Sequence, residues 1–96
     1  NYEVFIARDG QEALDILKTN FPDVIILDIM MPMVDGFATL EQIRKDANLQ
    51  HTKVMFLSAK NKESDIEKGL ALGADAYMTK PFSIKKVVEK VEVLLL

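Results

Sequence analysis

The stretch "VIIL" at residues 24–27 constrains the fold more than any other feature of the chain. It is apolar without interruption, preceded by the breakers Asn20 and Pro22 and followed by a carboxylate, Asp28, and then Pro32. A half-exposed strand alternates apolar and polar residues. A run with no alternation suits a strand covered on both faces, as in a parallel sheet flanked by helices. Such a sheet needs long crossovers between its strands, so the rest of the chain must supply helices.

The sequence on either side does so. "YEVFIA" is short and rich in β-branched and aromatic residues and reads as a strand. "DGQEALDILKT" opens with Asp9 and Glu12 at capping spacing and puts Ala13, Leu14 and Leu17 on one helical face. Residues 28–36 read as a loop with a turn at Asp35-Gly36. "FATLEQIRK" places Phe37, Leu40 and Ile43 at helical spacing, and residues 48–52 are polar and irregular. "KVMFL" is a third strand ending at Ser58. Ser64 is positioned to cap a helix that buries Ile66 and Leu70 and stops at Gly73. "AYMT" is a short fourth strand ending at Lys80-Pro81. Ser83 caps a last helix whose apolar face runs through Ile84, Val87, Val88, Val91, Leu94 and Leu95. The tail "VEVLLL" has some strand character, but the periodicity favours helix.

Strict β-α alternation predicts a parallel α/β sheet with helices on both faces and right-handed connections. The chain has 96 residues, one domain (1–96) with no linker or repeat. A net charge of −3 argues against direct nucleic-acid binding. The absence of cysteine excludes disulfides and thiolate metal sites and fits a reducing compartment. No apolar run approaches a membrane span, and the first residues carry no signal-peptide pattern, so a cytoplasmic protein is expected.

In open α/β sheets, sites gather at the carboxyl ends of the strands. Asp28, Ser58 and Lys80 each end a strand, at intervals close to one βαβ repeat. The topology therefore sends a carboxylate, a hydroxyl and an ammonium to one edge. A carboxylate can act as a nucleophile toward phosphorus, while a hydroxyl and a lysine can hold the transferred oxygens and offset their charge. Any one of the three alone has an ordinary reading, as a loop carboxylate, a turn serine or a surface lysine. Tyr77 alone reads equally as a half-buried strand aromatic, and His51 is a lone histidine in a polar loop.

"VIILDIMMPMVDGF", "VMFLSAK" and "AYMTKPF" together resemble the receiver domain of two-component response regulators, over nearly the whole chain. The resemblance implies a flavodoxin-like fold and a signalling switch rather than an enzyme. It makes Asp28 the phosphoacceptor, Ser58 the switch hydroxyl, Lys80 the phosphate-binding lysine and Tyr77 the switch aromatic. It also implies a cis Lys80–Pro81 peptide and Mg²⁺ held by Asp28 and the Met30 backbone carbonyl. The implied partner is a sensor histidine kinase or phosphotransfer protein. An aspartate-nucleophile phosphatase would instead carry a second Asp at the position of Met30.

Measured against the family, the chain lacks the first strand, the acidic pair and the first helix. The metal site is therefore expected to be incomplete and Mg²⁺ binding weak or absent. The absent strand is the central one of the family order 2-1-3-4-5. An unfilled slot would leave backbone groups unpaired at ~1–3 kcal/mol each. Three remedies are open: direct pairing of "EVFIA" with "VIIL", homo-oligomers through the open strand edges, or a strand supplied in trans. The alternative to a phosphoacceptor is thus a receiver fragment acting as a folding, oligomerisation or interaction module.

Overall fold

A computed structural model describes residues 2–29, 33–59 and 63–96. Four strands, β1 (Val4–Ala7), β2 (Val24–Ile29), β3 (Lys53–Ser58) and β4 (Ala76–Thr79), alternate with four helices, α1 (Gly10–Thr19), α2 (Met33–Lys45), α3 (Glu63–Ala71) and α4 (Ile84–Leu94). A 3₁₀ turn, Ala47–Leu49, precedes β3. All strand pairs are parallel, in the order β1-β2-β3-β4.

β1 pairs directly with β2. Val4, Phe5, Ile6 and Ala7 stand opposite Val24, Ile25, Ile26 and Leu27. The Glu3 carbonyl accepts from the Asp23 and Val24 amides, which carries the ladder to the start of β2. The direct pairing that the sequence left open as one possibility is present in this fold.

That monotonic order has a consequence for the layers. Right-handed crossovers between strands added always in the same direction put every connecting helix on the same face. One face accordingly packs Ala13 and Leu17 of α1 and Phe37, Leu40 and Ile43 of α2 on Ile25, Leu27, Val54 and Phe56. α3 joins it through Gly69, where an added Cβ would lie 3.4 Å from both Phe56 and Tyr77. Among the described residues only α4 lies on the other face, with Val91 and the partly buried Val87, Leu94 and Leu95 packed against Val24, Ile26, Met55, Leu57 and Ala76.

Local chemistry explains the helix ends. The Asp9 carboxylate accepts from the Glu12 amide at 2.8 Å, and Glu12 reaches back to accept from the Arg8 amide at 3.1 Å. Ser83 accepts from the Lys86 amide and starts α4. Gly73, at φ +113°, ends the α3 segment in the left-handed region, with its amide on the Leu70 carbonyl and that of Ala74 on Gly69.

Several local expectations need correction. Asp28 lies inside β2, paired with Leu57, instead of beginning a loop. The expected turn at Asp35-Gly36 is the first turn of α2, where amides lack intrahelical partners anyway and glycine costs less than in mid-helix. α3 starts at Glu63, so Ser64 is inside it and is no cap. Leu70 is exposed, and Gly69 takes the inward position. Leu49, in a segment that looked merely polar, is buried. On α4, Ile84 and Val88 belong to the predicted apolar stripe yet remain 79% and 50% exposed.

Candidate functional site

Side chains alternate between sheet faces along each strand, so register decides where the chemistry points. Asp28 has the parity of Val24 and Ile26, and Lys80 that of Ala76 and Met78; both belong to the α4 face. Ser58 has the parity of Val54 and Phe56, and Tyr77 sits opposite Phe56; both belong to the three-helix face. All four stand at the carboxyl edge, as two pairs on opposite sides of it.

The first pair is ionic. Lys80 Nζ lies 2.6 Å from Asp28 Oδ1, with the side chains 24% and 29% exposed. Oδ1 itself is closed to solvent and makes no aligned hydrogen bond, so this contact is a charge pair. The exposure of Asp28 therefore comes from its other atoms, of which Oδ2 is the polar one. Lys80 is placed by the end of the ladder: its amide donates to the Ser58 carbonyl at 2.8 Å, and the Lys80–Pro81 peptide that follows is cis.

The second pair is a hydrogen bond shared by the Tyr77 hydroxyl and the buried Ser58 side chain. Burial pushes the Tyr77 phenol above its ordinary value; the Ser58 hydrogen bond opposes this, and Asp65 adds to the rise. The ring is held at 5.7 Å from that of Phe56, which in turn meets Phe37 edge-on at 6.2 Å. Lys68 of α3 stands 5.1 Å above the Phe37 ring and ties α3 to α2.

Two features here were not legible in the sequence. At the opposite, amino edge, Arg44 donates from Nε to the Gly73 carbonyl, from one terminal nitrogen to the Thr52 carbonyl, and from the other to Asp75 Oδ2 at 2.6 Å. Asp75 Oδ2 also accepts from the Val54 amide. This clamp fixes β3 and the entry to β4, and hence the height at which Ser58 and Lys80 emerge. The other is an apolar trough of about 550 Å³ that runs along α4 and reaches Asp28. A period-2 reading of β1 combined with the final strand order would have exposed it, but the order is not in the sequence pattern.

A buried-edge carboxylate facing a lysine, backed by a serine–tyrosine pair, defines a site suited to accepting and holding an anionic group at the carboxyl end of a parallel sheet. Comparisons with known proteins identify the family. The response regulator receiver domain family matches residues 1–92. The alkaline phosphatase synthesis transcriptional regulatory protein PhoP of Bacillus subtilis is 44% identical over 98% of this chain and 38% of its own length. The chain thus spans well under half of that relative. The receiver domain of the Francisella response regulator 1452 is 34% identical, with a TM-score of 0.83 over 98% of this chain and 96% of its own. The receiver domain of the Pseudomonas aeruginosa sensor histidine kinase PA1611, solved with magnesium in its active-site cleft, shares the fold at TM-score 0.82 over 99% of this chain and 98% of its own, with 19% identity. The chain belongs to the response regulator receiver domain family. It is a two-component signalling module of flavodoxin-like fold, and such domains work with sensor histidine kinases or phosphotransfer proteins.

Receiver domains generally bind Mg²⁺. Mg²⁺ needs near-octahedral oxygen ligation and is usually held by one or two carboxylates with phosphate and water. Asp28 offers one carboxylate, with one oxygen already facing an ammonium. Among the described residues no three of His, Cys, Asp and Glu come together as a metal site. The Met30 carbonyl lies outside the described residues. The described donor set does not fit a magnesium centre.

Proposed function

We propose that Asp28 is the phosphoacceptor of this receiver domain. The observation that carries the reading is the Asp28–Lys80 pair at 2.6 Å on the carboxyl edge. With Oδ1 held by the ammonium, Oδ2 is the oxygen open to a donor. Its lone pair attacks the phosphorus of a phosphohistidine on a sensor kinase or phosphotransfer protein. The P–N bond breaks, its electron pair leaves with the imidazole, and the imidazole takes up a proton. The product adds about −1.5 to −2 charge, which Lys80 offsets.

Ser58 is the hydroxyl that turns to the new phosphoryl oxygens. Doing so withdraws it from Tyr77, and Tyr77 thereby senses the modification on the other face of the sheet. That gives a two-state element biased by local charge. Since the described residues do not fit a magnesium centre, modification is expected to be slow in this chain alone.

Incubation with a small-molecule phosphodonor across a range of Mg²⁺ concentrations, followed by peptide mass spectrometry, tests the reading. Phosphate on Asp28 that is acid-stable, base-labile and absent from Asp28→Asn is the expected result. No modification of Asp28 at any Mg²⁺ concentration would overturn it.

A second reading has its own observation. β1 is an edge strand, and Ile6 on it is 58% exposed. Such an edge invites pairing with another copy and would make the chain an assembly module. A compact monomer by light scattering at micromolar concentration would remove that reading. Among the described residues no helix is long and apolar enough to cross a membrane. Transcriptional regulation belongs to the longer relatives; for this chain, control of an attached or separate output is the proposal.

A further inference from the structure

α3 is held differently from the other helices of its face. α1 buries Ala13 and Leu17, and α2 buries Phe37, Leu40 and Ile43. The one buried residue of α3 is Gly69, which has no side chain to insert. An added Cβ there would stand 3.4 Å from both Phe56 and Tyr77, so the helix backbone itself rests on the two rings. A helix anchored by no buried side chain of its own belongs to the low end of local stability.

The preceding residue supplies a second hold. Lys68 Nζ stands 5.1 Å from the centroid of the Phe37 ring, inside the range of a cation–π contact. None of the ion pairs among the described residues involves Lys68. Phe37, Phe56 and Tyr77 form one continuous row, with successive centroids 6.2 and 5.7 Å apart. Lys68 and Gly69 thus bring α3 down on the whole row, Lys68 on Phe37 and Gly69 on Phe56 and Tyr77. Close-packed rings transmit displacement because they leave no gap to absorb it. The Tyr77 ring touches both Phe56 and the α3 backbone, so its position depends on where α3 is seated.

We propose that Lys68 is a positioning residue for the switch: its ammonium, seated on Phe37, holds α3 against Tyr77 and keeps the Tyr77 hydroxyl on Ser58. Loss of that contact loosens α3 and lets Tyr77 leave Ser58. The proposal rests on Ser58 and Tyr77 forming the switch pair. It needs no phosphoryl group, so the unmodified chain tests it.

Amide hydrogen exchange, followed residue by residue, reads the seating of α3. Lys68→Met keeps an apolar stem and removes the charge. It should speed exchange of the α3 amides about 2- to 5-fold, the equivalent of one exposed cation–π contact, and leave α1 and α2 unchanged. Lys68→Arg, whose guanidinium also stacks on aromatic faces, should exchange like the parent. Lys68 lies in the last turn of α3, where a positive charge also favours the helix dipole. Phe37→Leu separates the two effects. With the ring gone, Lys68→Met should add nothing, whereas a dipole effect would persist. The ring proton signals of Tyr77, set apart from those of Tyr2, the other tyrosine, report the far end of the row. In Lys68→Met they should move toward their positions in Ser58→Ala. Four results would each overturn the proposal: unchanged α3 exchange in Lys68→Met, no rescue by Lys68→Arg, the same acceleration in the Phe37→Leu background, or unmoved Tyr77 signals. Failure of the phosphoacceptor reading shows separately, as an unmodified Asp28 in a chain whose Lys68 and Tyr77 effects remain.

Discussion

Among the described residues, three helices lie over four strands on one face of the sheet, and α4 lies alone on the other. Both faces are built from the same strands, and along each strand successive residues alternate between them. On the three-helix face Ala7, Ile25, Leu27, Val54 and Phe56 are fully buried. On the α4 face Ile6, Ile84 and Val88 stay half or more in water. The difference follows from strand order. With β1 joined directly to β2, all three crossovers turn the same way, and the handedness rule leaves only the terminal helix for the second face. The candidate site divides along the same line. The charge pair Asp28–Lys80 opens toward the sparsely covered side. The Ser58–Tyr77 pair is set into the packed side, where a change can be passed to α3.

If the faces differ in this way, substitutions on them should differ in cost. Phe56→Ala removes a fully buried ring that contacts Phe37 and Tyr77 and should cost ~3–5 kcal/mol. Val88→Ala on the open face should stay within about 0.5 kcal/mol of the parent. Urea denaturation of the two variants decides the matter, and equal costs would break the comparison.

Two smaller effects sharpen it. Arg44→Ala removes three hydrogen bonds that tie α2 to β3 and to the entry of β4. Because its partners are partly buried, a loss of about 2 kcal/mol is expected in the same assay. Gly10 sits so close to Thr39 that an added Cβ would overlap Thr39 Oγ1. Gly10→Ala should therefore cost ~1–3 kcal/mol by overpacking α1 on α2. Much of that should return in the Gly10→Ala/Thr39→Ala double variant, and strict additivity would contradict the close approach.

The smallest effect concerns Tyr77. Its phenol is raised in the folded state chiefly by burial, so the unfolded chain loses this proton first as pH climbs. The corresponding stability is fully present below pH 10.0, the ordinary phenol value, and is lost as pH rises through the raised folded value. Denaturation midpoints measured from pH 9 upward should fall more steeply in the parent than in Tyr77→Phe.

Much of this was legible in the sequence for identifiable reasons. Uninterrupted apolar runs such as "VIIL" and capping residues such as Asp9 and Ser83 are local signals. They marked elements that the fold retains. The spacing of Asp28, Ser58 and Lys80 implied a shared edge, because parallel topology leaves few other places for them. What stayed hidden depends on strand order. Periodicity put Ile84 and Val88 on an apolar stripe, but which helices cover that face depends on strand order, and both residues remain exposed. The Arg44 clamp joins residues far apart in the chain and has no short-range signature. That Asp28 and Lys80 face one side while Ser58 and Tyr77 face the other follows from register, which is set by pairing and invisible in any single strand.

The division between the two faces rests on β1 pairing directly with β2. Interstrand nuclear Overhauser effects in the uniformly labelled chain test this most directly. Backbone contacts between Val4, Phe5, Ile6 and Ala7 and their partners Val24, Ile25, Ile26 and Leu27 within one molecule are the expected result. Absence of those contacts, or their appearance only between differently labelled copies in a mixed sample, would contradict it.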